Sequence, residues 1–200
     1  MNSEIVQHLQ ARGFHCHVCA TAAQAKQTVL DLIGDCSVGI GGSKSVKQLG
    51  IADILLQQGN PVYWHWLAEP SKKLEVERAA LQAQVYLCSA NAITEDGRIV
   101  QIDGTGNRVA AMLFGPPHLI LLVGKNKLSG SLDDAIARIK REACPENARR
   151  LGLSTPCALT NVCRDCRPPA RMCNATVVLE YPCRTHAQID IVLLDEPLGL

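Results

Sequence analysis

Short apolar segments alternate with amphipathic ones along this chain, and this alternation restricts the possible folds more than any other feature of the sequence. Patterns typical of buried strands cover residues 36–40, 85–88 and 118–123. Helical patterns lie between and beyond them, for example at residues 21–33 and 131–143. Strands that alternate with helices form a mostly parallel sheet with helices on both faces. The sequence therefore predicts an α/β protein.

Turn and capping residues predict the remaining elements. Asp96-Gly97 is a strong hairpin signal, so residues 98–102 are expected to pair with the segment before that turn. Ser3 is expected to begin a first helix, and residues 14–20 are typical of a half-buried strand. Further strands are expected at residues 61–66, 175–180 and 189–194. A separate short helix is expected at residues 145–151, after the helix that ends near residue 143.

The composition is that of an ordinary globular domain, and we expect residues 1–200 to form a single one. The chain is 47% hydrophobic and 20% charged, which is sufficient for one substantial core. Its net charge of +1 and its few aromatic residues argue against nucleic acid and membrane surfaces as partners. Residues 1–14 lack the apolar core of a signal peptide, and no apolar run has transmembrane length. These features predict a cytoplasmic protein.

Residues 155–174 carry four of the ten cysteines in a spacing that is typical of a metal centre. Their pattern is C-x5-C-x2-C-x6-C, formed by Cys157, Cys163, Cys166 and Cys173. Short gaps of this kind allow several sulfur atoms to converge on one metal centre. Three prolines (Pro156, Pro168 and Pro169) are expected to keep the segment out of regular helix and sheet, as an ordered loop.

Several interpretations of these cysteines stay open. Two disulfides would require an oxidising compartment, and inert buried thiols would be expected in a core rather than in a loop rich in proline and arginine. Zinc sites favour paired C-x2-C motifs, of which this segment has one, while neither common ferredoxin spacing fits. We expect an iron–sulfur cluster of the 4Fe–4S type, with zinc as the alternative. The surrounding residues 138–171 carry eight Lys or Arg against three acids, which would compensate thiolate charge.

Two glycine-rich segments are candidates for anion binding. Residues 39–45 place a glycine-rich turn between a strand and a helix, which directs backbone N–H groups toward an anion. A plain tight turn with Ser43 as the helix N-cap is the alternative. Residues 103–108 form a second polar segment. Because ligands of open α/β sheets bind beyond the carboxyl ends of the strands, both segments are expected to meet in one pocket. The expected ligand-binding residues are Gly39, Gly41, Gly42, Ser43, Lys44, Gly104, Thr105, Gly106 and Asn107.

Three further polar residues near strand ends, Asn91, Thr94 and Lys125, are added to the expected ligand-binding set. Each has a structural alternative, because polar residues in loops often serve only the turn that contains them. Lys125 and Lys127 are equally typical of solvated charges at a strand end. His65 and His118 are expected to be core or rim residues rather than ligands.

With these segments in view, the chain resembles the LUD (lactate utilisation) family, in its short form with a C-terminal cysteine motif. Four blocks carry the resemblance: GIGGSKSVKQLGI (39–51), NAITEDGRIVQIDGTGNRVAA (91–111), FGPPHLILLVGKNKL (114–128) and TPCALTNVCRDCRPPARMCN (155–174). One departure is Asn161, where the family pattern leads us to expect glycine. The resemblance extends over nearly the whole chain.

The resemblance implies a three-layer α/β sandwich similar to the ribose-5-phosphate isomerase, glucosamine-6-phosphate deaminase and CoA-transferase group. In that group a glycine-rich loop after an early strand holds phosphate or carboxylate, which favours an anion site at residues 39–43. The family also implies a connection with the oxidation of lactate to pyruvate, alongside iron–sulfur partner subunits.

Three hypotheses for function follow. In the first, the chain is an iron–sulfur redox component whose loops bind a small 2-hydroxy or 2-oxo acid. Arg108 would pair with the ligand carboxylate, and Asp103 or Glu95 would act as the base. In the second, it is an isomerase-like or transferase-like enzyme with a structural zinc site. In the third, it is a regulatory ligand-binding module. Self-association into a homo-oligomer is also expected.

Overall fold

The computed structural model describes residues 3–200. Within that range the strands are β1 (His15–Cys19), β2 (Val38–Ile40), β3 (Val62–Trp64), β4 (Val85–Cys88), β5 (Ala92–Thr94), β6 (Ile99–Asp103), β7 (His118–Gly124), β8 (Leu128–Ser129), β9 (Ala175–Leu179) and β10 (Gln188–Leu194). The α-helices are α1 (Ser3–Ala11), α2 (Ala22–Ile33), α3 (Lys44–Gln48), α4 (Ile51–Gln58), α5 (Lys73–Ala80), α6 (Asn107–Phe114), α7 (Leu132–Arg138), α8 (Cys144–Arg150) and α9 (Pro156–Thr160).

The central sheet has six strands in the order β1-β10-β7-β4-β2-β3, and every neighbouring pair is parallel. The most hydrophobic strand, β7, lies inside the sheet, and all of its residues after His118 are buried. A strand that is buried on both faces has no polar side, which explains its continuous apolar sequence. The predicted α/β class with a mostly parallel sheet is confirmed.

A smaller sheet of four strands has the order β8-β5-β6-β9. The β5–β6 pair is the predicted antiparallel hairpin. Its turn contains Gly97 at φ 84°, a left-handed conformation that glycine adopts without steric cost. A Cβ atom at Gly97 would also lie 2.9 Å from the backbone of α1, so the turn and the first helix pack tightly.

Three buried clusters define the layers. On one face of the central sheet, α2, α3 and α4 cover residues such as Ile120 and Val192. On the other face, α1, α6 and one side of the small sheet pack against residues such as Leu121 and Ile191. The second side of the small sheet packs against the helix that begins at Leu132. The central sheet is therefore covered on both faces.

Two predicted elements differ in the structure. Residues 132–150 form one continuous helical segment, in which the π-helical turn Ile139–Ala143 joins α7 to α8. Pro145 does not break this segment because the wider π turn relieves the contact that a proline ring makes with the preceding turn. The cysteine segment also contains a helix, α9, which was not expected. Thr155 caps it and Pro156 occupies its first turn. An N–H group at that position has no partner within the helix, so its absence in proline costs nothing.

Asn161 ends α9 at φ 58°. Glycine is the usual residue in this left-handed position and asparagine is the next most tolerated, so the departure from the expected glycine preserves the turn. Within residues 3–200, no helix combines the length and the apolar character needed to cross a lipid bilayer.

Candidate functional site

A cavity of about 340 Å³ opens at the carboxyl edge of the central sheet. Its walls come from the segments that follow β2, β4 and β6, together with the helix α8 and the cysteine segment. Both glycine-rich segments reach it, as their placement at strand ends predicts. The expected site residues that line it are Gly42, Ser43, Lys44, Asn91, Asp103, Gly104, Thr105, Asn107 and Arg108.

The cavity walls carry an excess of positive charge. Five basic side chains line it, from Lys44, Arg108, Lys127, Arg150 and Arg171. Among the described residues, the acidic side chains that line it are Glu77 and Asp103. A concave site with walls of one sign concentrates ions of the opposite charge. The cavity therefore favours an anionic ligand.

Asp103 is held at the start of α6. Its carboxylate accepts hydrogen bonds from the backbone N–H groups of Gly104 (2.7 Å), Arg108 (3.0 Å) and Val109 (3.3 Å). It also accepts one from Arg108 Nη2 at 3.3 Å. These contacts cap the helix and neutralise its positive end. Because its oxygens already serve this cap, the contacts favour a structural role for Asp103, and its expected role as the base stays a prediction.

Arg108 reaches the cavity over Gly41. A Cβ atom on Gly41 would lie 2.9 Å from Arg108 Cγ, so glycine makes room for the arginine stem. Arg108 Nη2 donates to the carbonyl oxygen of Ile102 at 3.0 Å. Its Nε and Nη1 atoms make no hydrogen bond to any part of the chain that the structure describes. These donors are therefore free to bind a ligand carboxylate.

The other glycines of the expected set have structural roles. Gly39 lies within β2, where a Cβ atom would collide with the carbonyl oxygen of Ala80 in α5. Gly106 takes a left-handed conformation, φ 93°, at the N-cap of α6. Ser43 accepts a hydrogen bond from Val46 N, so the alternative role as a helix cap is present in the structure, and Ser43 also lines the cavity.

Thr94, Glu95 and Lys125 do not reach the cavity, and their expected place there is corrected. Thr94 and Glu95 lie at the far end of the β5–β6 hairpin, where the Thr94 hydroxyl bonds to the turn itself and Glu95 is exposed. Lys125 points to Asp195, with 3.7 Å between its Nζ and Oδ1. Sequence patterns placed these residues near strand ends, but β5 carries Thr94 and Glu95 away from the site, and the turn after β7 directs Lys125 toward Asp195.

Glu77, which the sequence did not single out, and His65, which was expected at the core or rim, form part of the cavity wall. Glu77 Oε1 accepts a hydrogen bond from Asn107 Nδ2 at 3.3 Å and lies 3.6 Å from His65 Nδ1. Burial raises the pKa of Glu77, and the nearby charge of Asp103 raises it further. Burial lowers the pKa of His65, as do the nearby cations, Lys73 first among them. A carboxyl group with a raised pKa is a better proton acceptor and donor near neutral pH than an ordinary one.

Three more residues of the wall are Ser45, Ser89 and Lys127. Ser45 belongs to the glycine-rich segment 39–45, whereas Ser89 and Lys127 were missed. Lys127 Nζ lies 3.0 Å from Ser45 Oγ and 2.8 Å from Ser89 Oγ. Burial, followed by the charges of Arg138 and Arg108, lowers the pKa of Lys127 to about 7. The sequence could indicate only that Lys125 or Lys127 follows β7, because the turn of residues 125–127 decides which of them points inward.

The four cysteines of the 155–174 segment come together around a separate void of about 20 Å³. A fifth cysteine, Cys144, lines the same void from α8, and the cations Lys140, Arg164 and Arg171 surround it. All five cysteines are free thiols. Cys144 is 13 residues before Cys157, so the spacing pattern gave no signal for it.

Two of these thiols, Cys144 and Cys173, share a hydrogen bond, with 3.3 Å between their Sγ atoms. The bond lowers the pKa of Cys173 and raises that of Cys144, so Cys173 is the thiol of the pair that ionises more readily. Arg171 holds the segment together by donating to the carbonyl oxygens of Cys166 and Cys173, both at 2.8 Å. Cys144, Cys173 and Arg171 line the large cavity as well as the small void.

The cysteine segment has the donor chemistry of an iron–sulfur or zinc centre, namely several thiols beside cations. Within residues 3–200, however, no group of three or more His, Cys, Asp or Glu side chains is arranged to hold a single metal ion. The metal centre and its ligands Cys157, Cys163, Cys166 and Cys173 therefore stay a prediction.

The fold and the cavity define a parallel α/β protein with a cationic site at the carboxyl edge of its sheet. A family model described as the LUD domain matches residues 3–194. The chain belongs to the LUD domain family, as the four sequence blocks predicted. Membership of this family supports a role related to lactate utilisation.

Two relatives illustrate the match. The uncharacterized protein YkgG of Escherichia coli (strain K12) is 30% identical over 110 residues, a region that covers 54% of this chain and 46% of YkgG. The match thus spans about half the length of that relative. A crystal structure of a DUF162 family protein from Deinococcus radiodurans has the same fold, with a TM-score of 0.55 at 12% sequence identity. The superposition covers 96% of this chain and 98% of that one.

Proposed function

We propose that the 340 Å³ cavity binds a small carboxylate metabolite, a 2-hydroxy or 2-oxo acid, and that the chain is a redox component of lactate utilisation. The observation that carries the proposal is the cavity wall, where four cations (Lys44, Arg108, Arg150 and Arg171) and the buried amine of Lys127 face two acidic side chains. One of those acids, Asp103, already accepts hydrogen bonds from the first turn of α6. A ligand with one carboxylate and a neighbouring oxygen suits such a wall.

Arg108 is the residue we assign to the ligand carboxylate. Its free Nε and Nη1 atoms lie on different edges of the guanidinium plane, and each can donate a charge-assisted hydrogen bond to a ligand carboxylate. Its remaining donor group is fixed by Ile102 and Asp103, which orients the guanidinium before a ligand arrives. A preoriented side chain loses less conformational freedom on binding.

Glu77 replaces Asp103 and Glu95 as the proposed base. Oxidation of a 2-hydroxy acid to a 2-oxo acid removes two protons and two electrons. Glu77 faces the cavity, its pKa is raised by burial, and a hydrogen bond from Asn107 Nδ2 holds its carboxylate in place. In this proposal it accepts the proton of the ligand hydroxyl, the C2 proton passes to solvent, and the two electrons pass one at a time to the iron–sulfur partner subunits.

For the cysteine segment we propose an iron–sulfur cluster held by Cys157, Cys163, Cys166 and Cys173, with zinc as the alternative. A cluster bound there would take up or release electrons one at a time. The support is the shared wall, because Cys144 and Cys173 border both the thiol void and the cationic cavity. Electron transfer between the two sites would then need no long path. Iron–sulfur partner subunits and a homo-oligomer remain part of the proposal.

Anaerobic purification followed by iron, sulfide and zinc analysis tests the metal. We expect iron and sulfide with absorption in the visible range, and loss of metal when each of the four cysteines is replaced by Ser in turn. Cys183→Ser is the matched control, because Cys183 does not line the thiol void. A colourless protein with one zinc per chain would favour the structural site of an isomerase-like or transferase-like enzyme. A protein that retains all its metal in every single variant would contradict the ligand set.

Calorimetric titration with lactate, pyruvate and uncharged lactamide tests the cavity. We expect the two carboxylates to bind and lactamide to bind at least tenfold more weakly, because only the acids pair with Arg108. Equal binding of acid and amide would overturn the assignment of the ligand class.

A further inference from the structure

Lys127 is a buried amine that has no acidic partner. The residue is 3% exposed. Its Nζ atom bonds to Ser45 Oγ and Ser89 Oγ, and it forms no ion pair with any of residues 3–200. The two hydroxyls also lie 3.4 Å from each other, so the three groups form a closed triangle. Burying a charged ammonium group without a carboxylate is costly, whereas a neutral amine needs only the two hydroxyls.

The charged groups around Lys127 also favour the neutral amine. Burial has the largest effect on its pKa, and Arg138 and Arg108 lower the value further, while the thiol of Cys88 opposes them. With a pKa of about 7, a large fraction of Lys127 is unprotonated at neutral pH. A lysine that is desolvated beside other cations is the form in which this side chain acts as a nucleophile.

The position of the amine matters as much as its charge. Lys127, Ser45 and Ser89 line the same cavity as Arg108, whose free donors we assign to a ligand carboxylate. A 2-oxo acid carries its carbonyl carbon next to that carboxylate. A ligand anchored on Arg108 therefore brings an electrophilic carbon into the cavity that holds an unprotonated lysine.

We propose that Lys127 forms a Schiff base with the carbonyl carbon of a 2-oxo acid. This inference rests on the proposed function, because it takes the same ligand class in the same cavity. The Nζ lone pair attacks C2 and the carbonyl oxygen takes up a proton, which gives a carbinolamine. The hydroxyl group then leaves as water. In the overall exchange this water carries away both hydrogens of the amine. The resulting imine gains one proton from solvent to become an iminium, and no oxidant or reductant is needed.

Ser45 and Ser89 have a defined part in this reaction. Each hydroxyl both donates and accepts, so the pair can carry the proton that leaves nitrogen to the departing oxygen. Ser89 Oγ lies nearest to Nζ, at 2.8 Å, and also bonds to the carbonyl oxygen of Ala90 at 3.2 Å. This second bond orients the hydroxyl.

The test is reductive trapping of the full-length protein. The protein is incubated with pyruvate, treated with sodium borohydride and digested, and the peptides are mapped by mass spectrometry. We expect one reduced pyruvate adduct, on Lys127. Lactate, which has no carbonyl group, gives none. Lys125→Gln serves as the matched control and retains the adduct, because Lys125 lies outside the cavity. Ser89→Ala slows trapping at least about tenfold through loss of proton transfer.

The outcomes separate this inference from the proposed function. Pyruvate that binds in the calorimeter but leaves Lys127 unmodified overturns the Schiff base and leaves the proposed function standing. An adduct spread over several exposed lysines, or one that persists in Lys127→Gln, also overturns it. Absence of pyruvate binding contradicts the ligand class and the Schiff base together. If Lys127→Gln fails to fold, the peptide map of the unaltered protein still shows whether Lys127 carries the adduct.

Discussion

Replacing Lys127 with methionine should make the protein more stable at neutral pH. The pKa of Lys127 is about 7 in the folded chain and 10.5 in the reference state. At pH 7 the folded state holds this amine about half deprotonated, and its lowered pKa costs about 4 kcal/mol at about 1.4 kcal/mol per pKa unit. Methionine has a similar length and carries no charge, so it removes this cost.

The net gain is smaller because the substitution also removes two hydrogen bonds. The bonds to Ser45 and Ser89 contribute about 1 kcal/mol each. Lys127→Met is therefore expected to stabilise the protein by about 2 kcal/mol at pH 7. The direction of the pH dependence follows from proton binding. Between pH 7 and 10.5 the unfolded lysine binds more protons than the folded one, so the stability of the unaltered protein rises with pH.

Urea unfolding at pH 7, 8 and 9, followed by tryptophan fluorescence, measures this difference. The advantage of Lys127→Met should shrink by about 2 kcal/mol between pH 7 and pH 9. Groups that titrate equally in both proteins cancel in the comparison. Lys125→Met is the control and should show no such trend, since Lys125 is about half exposed. An advantage that stays constant from pH 7 to pH 9 would refute the lowered pKa of Lys127.

Three further predictions concern the cavity and the sheet. Arg108→Ala should weaken pyruvate binding by roughly ten- to a hundredfold in calorimetry, while circular dichroism stays unchanged; equal affinity would remove Arg108 from the site. Gly41→Ala should also weaken binding, because its Cβ would displace the Arg108 stem; a thermal melt should show only a small loss of stability. For Asp190, burial would raise the pKa, but hydrogen bonds from His118, His17 and Gln188 lower it overall. Its contribution should be present above about pH 4 and lost on further acidification, so Asp190→Asn should destabilise the protein at pH 7 and lose that effect in acid unfolding curves.

The parts of this fold that the sequence predicts are those that local patterns determine. The continuous apolar run of β7 has few alternatives to a buried parallel strand. The dipeptide Asp96-Gly97 predicts a hairpin turn without information from any other part of the chain. The convergence of the two glycine-rich segments was also predictable, because parallel strands bring their carboxyl ends to one edge.

The missed residues depend on contacts between distant parts of the chain. Glu77 lies on a helix whose charged residues all look alike in sequence, and only the packing of α5 turns this one toward the cavity. Cys144 belongs to a different helix from the cysteines that it joins. Lys127 looked like a surface charge because the short turn after β7 has no pattern that shows which lysine is inside. Thr94 and Glu95 were placed in the cavity by mistake. Their polar character shows that a strand ends there, but it does not show whether that end points toward the cavity or away from it.

The wall that Cys144 and Cys173 form between the thiol void and the cationic cavity has a thermodynamic consequence. Two sites that share side chains are linked, and such linkage is reciprocal. Whatever factor a ligand in the cavity would apply to the affinity of the cysteine segment for the proposed metal, that metal would apply to the affinity of the cavity for its ligand. Occupancy of one compartment would then change the binding constant of the other, across a boundary formed by two sulfur atoms.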